Sequence, residues 1–172
     1  QMRERRRNII TAPASVRSVG EAVMAADRLL ETAKAQADAQ VSERNAREKA
    51  ELMRQLGMDE GESATKASRT MIRQLEEDQK RRSKRALTDA IDRALIDLLA
   101  IYRDVLMVQV GGDGELINTD LSDLVHQIAQ DSTPRQTLAR VDHIETARKR
   151  LVSNGNPLLV LEDMAISLRP QA

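Results

Sequence analysis

Apolar residues recur along this chain at intervals of three and four, the spacing that gathers side chains on one face of an α-helix. They do so in blocks of unequal strength. The densest runs through Leu87, Ile91, Leu95, Leu98, Tyr102 and Val105 to Gln109, with Ala94, Leu99 and Leu106 beside it. This stripe predicts the central helix of a core. Upstream, Ser18 and Glu21 have the spacing of a capping box, in which a hydroxyl and a carboxylate satisfy the orphan N–H groups at a helix start. Val19, Val23, Ala26 and Leu30 follow as its apolar stripe. Beyond Glu31 the stripe thins to Ala35, Ala39, Ser42, Ala46, Ala50 and Met53 at heptad-like spacing among charged residues. Gly57 and the stretch Met58 to Ser63 supply a turn, and a returning arm carries only Ala67, Met71 and Leu75 before Arg85. The pattern predicts a protruding antiparallel helical hairpin.

After the central helix, Gly111-Gly112-Asp113-Gly114 reads as a helix-ending turn, and three shorter helices follow. The first lies near Asp120 to Gln130. Thr133-Pro134-Arg135-Gln136 combines a capping box with proline at the first helical position, ahead of Leu138, Val141, Ile144, Ala147 and Leu151. Asn154-Gly155 closes that helix, and Asn156-Pro157 opens the last, which carries Leu158, Leu161, Met164, Ala165 and Leu168 until Pro170. At the other end, Thr11-Ala12-Pro13 interrupts a basic helical stretch, so a boundary is placed at Thr11 to Ser15. The expected architecture is all-α, a five-helix bundle carrying the hairpin.

Composition sharpens this reading. The 172 residues include one aromatic, Tyr102, so the core has to be built from aliphatic side chains packed between helices. Lys plus Arg and Asp plus Glu number 27 each, which leaves no global field drawing the molecule to nucleic acid or an anionic membrane. The absence of cysteine excludes disulfides, thiolate metal sites and thiol catalysis, and suits a cytoplasmic protein. The most apolar run, residues 94 to 110, is interrupted by Asp97, Arg103 and Asp104, so it is expected to be a core helix and no membrane span. The opening residues QMRERRRNII carry charge where a secretory signal has its apolar stretch, and they read as a piece cut inside a helix of a longer protein.

No catalytic constellation emerges. GGDGEL at 111 to 116 lacks the Lys and Ser or Thr of a phosphate loop, and its carboxylates repel phosphate. Asp113, Glu115, Asp120 and Asp123 lack the ligand order of a calcium hand. His126 and His143 fall on different helices without paired-ligand spacing. The expectation is therefore no enzyme activity in this fragment, no cofactor, no metal and no small-molecule substrate. Two basic runs remain as candidate phosphate contacts: Arg3, Arg5, Arg6 and Arg7, and then Lys80, Arg81, Arg82, Lys84 and Arg85. For the second run, Glu76, Glu77 and Asp78 stand four residues before Lys80, Arg81 and Arg82, which predicts a self-paired helix face.

The segments after the hairpin carry a resemblance. IDRALIDLLAIYRDVLMVQVG, Ile91 to Gly111, resembles the LDxxLxxLLxxYRDLLxLxxG helix of the bacterial clamp-loader delta-prime family of DNA polymerase III. Ser132 to Arg135 with Val141 to Leu151 resembles that family's TPxxxLxxxIxxIxxARxxLxxN helix. NPLLVLEDMAISL, Asn156 to Leu168, resembles the ending NxNPxLxLExLLLxL that delta-prime shares with gamma/tau. RRRNIITAPA, Arg5 to Ala14, is similar to the end of the family's lid domain, RRxxVLxIPxxL. The hairpin from about Ala33 to Arg85 resembles an insertion of delta-prime proteins from high-GC Gram-positive bacteria.

The resemblance implies residues 1–14 as the end of a lid domain and 15–172 as a C-terminal collar, with 33–85 inserted as the hairpin. It also implies assembly with gamma/tau and delta subunits into the pentamer that loads the sliding clamp, with DNA contacted only weakly or indirectly. The arginine-finger and zinc motifs of the family belong to an amino-terminal module and are absent from this chain, so no ATP site is assigned to it. Tyr102, Leu106, Leu158, Leu161 and Met164 are the candidate subunit-interface residues, each equally able to serve as core. Two rival readings are a coiled-coil adaptor working through the hairpin and a DNA-binding module working through the basic helices.

Overall fold

The computed structural model describes residues 16–57, 65–112 and 114–169. Among them are five α-helices and no strand: α1 Val19–Gln55, α2 Lys66–Gln109, α3 Ser122–Gln130, α4 Pro134–Val152 and α5 Pro157–Ser167. A 3-10 turn, Thr119–Leu121, precedes α3. The expected all-α class holds. Residues Arg3 to Arg7, the boundary at Thr11 to Ser15 and the turn at Met58 to Ser63 lie outside the described residues.

The helix boundaries follow from local chemistry. At α1 the Glu21 N–H donates to Ser18 Oγ over 3.1 Å, and the Arg17 N–H donates to Glu21 Oε2 over 2.7 Å. At α4 the box is complete: Gln136 N–H donates to Thr133 Oγ1 and Thr133 N–H to Gln136 Oε1, with Pro134 at the helix start. Asn156 Oδ1 accepts from the N–H groups of Leu158 and Leu159 to begin α5. Gly57 and Gly111 end α1 and α2 at φ values of +63° and +66°, in the left-handed region that glycine enters without steric cost.

The chain divides into two compact units, Lys34–Ala90 and the described parts of Gln1–Ala33 with Ile91–Ala172. The second is the bundle. Its interior takes Ile91, Leu95, Leu98, Ile101, Tyr102 and Val105 from α2, together with Leu121, Val125, Ile144, Leu161, Met164 and Leu168. The α2 stripe is the one expected from the sequence between Ile91 and Val105, with Ile101 joining it and Leu87 packing instead in the hairpin. From α1 the buried residues are Ala22, Ala25, Ala26, Leu29, Leu30 and Ala33, while Val19 is exposed. The apolar face of α1 therefore includes alanines that a search for larger side chains passes over. Thr137 and Arg140 take core positions on α4 where the stripe predicts Leu138, and Leu138 faces solvent.

The hairpin is the other unit. Its antiparallel pairing is fixed by polar bonds between the arms: Gln79 Nε2 to the Asn45 carbonyl at 2.8 Å, Arg82 to Asn45 Oδ1 at 2.7 Å and to Glu48 Oε2 at 2.8 Å, and Lys49 to Glu76 at 3.0 Å. One small apolar cluster, Ala37, Val41, Ala86 and Leu87, lies within it. The heptad expected at Ala35, Ala39, Ser42, Ala46 and Ala50 is exposed, and so are Ala67 and Met71. The actual seam runs through Ala37, Val41, Asn45, Glu48 and Leu52 against Ser68, Ile72, Leu75, Gln79, Arg82 and Ala86.

Candidate functional site

Three polar staples hold the bundle in one arrangement. Asp92 of α2 receives a bidentate bond from Arg148 of α4, Nε to Oδ1 at 2.7 Å and Nη2 to Oδ2 at 3.2 Å, and Glu145 adds a third contact at 3.2 Å. The Asp92 carboxylate raises the guanidinium pKa above its already high ordinary value. Asp104 is fully buried, and its carboxylate accepts from the N–H groups of Ile117 and Asn118, from Asn118 Nδ2 and from Arg103. Burial pushes this carboxyl up, but the four hydrogen bonds outweigh it and hold the group below its ordinary range. Gln109 Nε2 donates to the Ser132 carbonyl at 2.7 Å, and its Oε1 accepts from Thr137 Oγ1 at 2.8 Å. That side chain ties the end of α2 to the start of α4.

The staples involve the same segments that carried the sequence resemblance. Asp92 and Asp104 lie in the α2 segment, Arg148 in the α4 segment, and Asn154 and Asn156 bound the last turn. Asn154 adopts a φ of +63°, and the Gly155 N–H donates to the Arg150 carbonyl at 2.8 Å. A Cβ on Gly155 would lie 2.8 Å from that carbonyl oxygen and 2.9 Å from Val160 Cγ2, so this turn needs glycine. The motif residues of the α4–α5 joint are thus structural, and α5 packs against α4.

The expected interface residues separate into two groups. Tyr102, Leu161 and Met164 are buried inside the bundle, the core role that the sequence left open for each of them beside the interface one. The same apolar stripe that looked available for a partner is consumed in closing the chain's own core. Leu106 and Leu158 are half-buried. The most exposed of the large apolar side chains lie elsewhere: Val110, Ile117, Val152 and Leu159, the last two 76% and 62% exposed on either side of the α4–α5 turn. Sequence periodicity passes over them because they are off the stripe. Their signal is an apolar residue next to a helix end with no place in the repeat.

Within the second basic run, the expected ladder of pairs four residues apart does not form. Glu76 reaches across to Lys49, Glu77 pairs with Arg73 at 3.3 Å, and Asp78 lies 3.9 Å from Arg81. Arg82 is committed to Asn45 and Glu48. The Arg82 bond, helped by Arg44, pulls the Glu48 pKa down to about 2. Lys80 and Arg85 have no ion-pair partner among the described residues. Only Glu76 is drawn across to the other arm, while Glu77 turns back to Arg73 and Asp78 reaches the arginine three residues on, so none of the three meets the cation four residues after it. Among the described residues no group of three or more His, Asp or Glu is placed to hold a metal, and no helix is long and apolar enough to cross a membrane.

Comparison with known proteins bears on these segments directly. A family described as DNA polymerase III, delta subunit, C terminal matches residues 62–169. DNA polymerase III subunit delta' of Bacillus subtilis (strain 168) is 38% identical over 72 residues, which cover 42% of this chain and 22% of that protein. The chain therefore spans well under two thirds of the length of the curated relative it matches. No solved structure matches.

Proposed function

Because this chain belongs to the C-terminal family of the DNA polymerase III delta subunit, we propose that it is the collar of a clamp-loader delta-prime protein. In this reading it is a scaffold, a non-catalytic part of the replication machinery. Residues 15–172 form the collar, 1–14 end a lid domain, and 33–85 are an inserted hairpin. The collar holds gamma/tau and delta subunits in a ring whose ATPase modules load the sliding clamp, and the assembly works in the cytoplasm. Surface affinity alone is required of this fragment, since register between neighbours is what a scaffold supplies.

The observation that carries the reading is the family match over a bundle whose matched segments are stapled to one another, Asp92 to Arg148 above all. A second feature agrees with it. Val152 and Leu159 stand exposed beside a rigid turn, the kind of apolar feature that a neighbour in an assembly covers. We assign the interface to these two residues with Leu158 and Leu106, in place of the three buried candidates.

Size exclusion with light scattering tests this, using the chain alone and mixed with the collar region of a gamma/tau subunit at low and moderate salt. A mixed complex that survives salt is expected, and Val152→Ser with Leu159→Ser weakens it by roughly tenfold or more, as for central interface residues. Failure to associate at either salt concentration overturns the collar reading.

A further inference from the structure

Between α4 and the end of α5 the bundle has a cleft of about 230 Å³ lined by Arg135, Ala139, Arg140, His143, Ser167 and Arg169, with Gln136 at its rim. None of these side chains is acidic, in a chain whose positive and negative charges otherwise balance. Arg140 is the unusual member. It is only 7% exposed, yet among the described residues its one partner is the ring of Tyr102, 5.9 Å from the guanidinium carbon. A guanidinium has five N–H donors, and stacking on a ring satisfies none of them. A buried charge left without a carboxylate is costly, so such a group is normally paired. Arg169 uses Nε on the Ile166 carbonyl, and Ser167 Oγ donates to the Asp163 carbonyl. The planar forks of Arg140 and Arg135 line the same cleft with their charges unmatched.

We propose that this cleft is a binding site for a carboxylate, delivered by an acidic side chain of a partner protein. The Arg140 fork, held in place by Tyr102, recognises the carboxylate in the way planar guanidinium groups match paired oxygens, and Arg135 and Arg169 add charge at the mouth. A protein segment fits better than a nucleic acid for two reasons. The volume suits one side chain, and the cations cluster at one point where a phosphate backbone needs a track of them. The one Phe, Trp or Tyr ring of the chain lies beneath Arg140 in the core, which leaves the single imidazole of His143 as the ring at the cleft, short of the series of rings on which successive bases stack. This inference does not depend on the collar assignment, since it rests on the cleft and its charges.

Tyr102 makes the test direct, because it is the sole aromatic residue and its emission reports on the cleft in the full chain. The chain is titrated with a capped hexapeptide of Glu and Ala, with its Gln-for-Glu counterpart, with inorganic phosphate and with a single-stranded oligonucleotide. The Glu peptide is expected to change the emission saturably below about 1 mM, and Arg135→Glu to weaken it by roughly tenfold. Arg135 is exposed, so that variant keeps the fold, which circular dichroism checks independently of any effect of Arg140→Ala on stability. Equal binding of the Gln peptide, tighter binding of phosphate or the oligonucleotide, no saturable change with the Glu peptide, or an unaltered affinity in Arg135→Glu each overturn the proposal.

Discussion

The bundle and the hairpin are built from the same helical material and held by different forces. In the bundle, Ile91, Leu95, Ile101, Val105, Ile144 and Leu161 are fully enclosed, and hydrogen bonds through Asp104, Gln109 and Arg148 tie the helices together around them, with Arg140 left as the buried charge that no carboxylate among the described residues matches. In the hairpin, the seam offers Ala37, Val41, Ala86 and Leu87 as its apolar cluster and relies on Asn45, Glu48, Gln79 and Arg82 for register. Apolar burial scales with area and is not weakened by ionic screening, while ion pairs near the surface are. Helicity therefore says little about what stabilises a region. The bundle has a core, and the hairpin has a register with a thin core under it.

The contrast can be broken from the bundle side first. Leu95→Ala removes a fully enclosed side chain and is expected to cost about 3 kcal/mol in urea unfolding, within the range for buried leucines. Asp104→Ala follows at about 2 to 3 kcal/mol, since it strands the N–H groups of Ile117 and Asn118. The folded Asp104 carboxyl titrates below its unfolded value. Its contribution is thus complete above the ordinary carboxylate range and is lost as pH falls through the folded value. Urea midpoints across the acid range should show the wild type losing stability there and Asp104→Ala losing less.

The hairpin gives the smallest effect and the one most dependent on conditions. Arg82→Ala should speed amide exchange in Lys66–Ala90 and leave the bundle amides unchanged, and high salt should mimic it in the wild type. Glu48 has its pKa lowered to about 2, so its bond to Arg82 is fully formed above about pH 4.5 and disappears on acidification toward 2. Exchange rates that ignore both salt and Arg82→Ala would mean the thin apolar seam holds the hairpin by itself.

Legibility in the sequence follows the same division. The α2 stripe from Ile91 to Val105 was readable because large aliphatic residues occupy one face and charged ones the other. The caps at Ser18, Thr133 and Asn156 were readable because each is a local contact. The hairpin arms could be placed, but their seam could not. Alanine and charged residues occur on every face there, so periodicity chooses no register, and cross-arm bonds such as Arg82 to Asn45 decide it. Asp104 was visible only as an interruption of an apolar run, because its partners Ile117 and Asn118 lie beyond a glycine turn. The Arg140 cleft was hidden for the same reason, since it joins two helices. The family resemblance identified the segments, while burial decided which of their residues are free to meet a neighbour.

The turn at Asn154-Gly155-Asn156 also sets an order of events in time. It joins α4 to α5 through a handful of residues, so closing it loses little chain entropy, and the pair can form from local contacts on a fast timescale. Arg148 meets Asp92 only by closing a loop 56 residues long. The α4–α5 pair is then the seed, and its docking on α2 is the late step. On that account Gly155→Ala slows refolding, whereas Arg148→Ala leaves refolding nearly unchanged and accelerates unfolding.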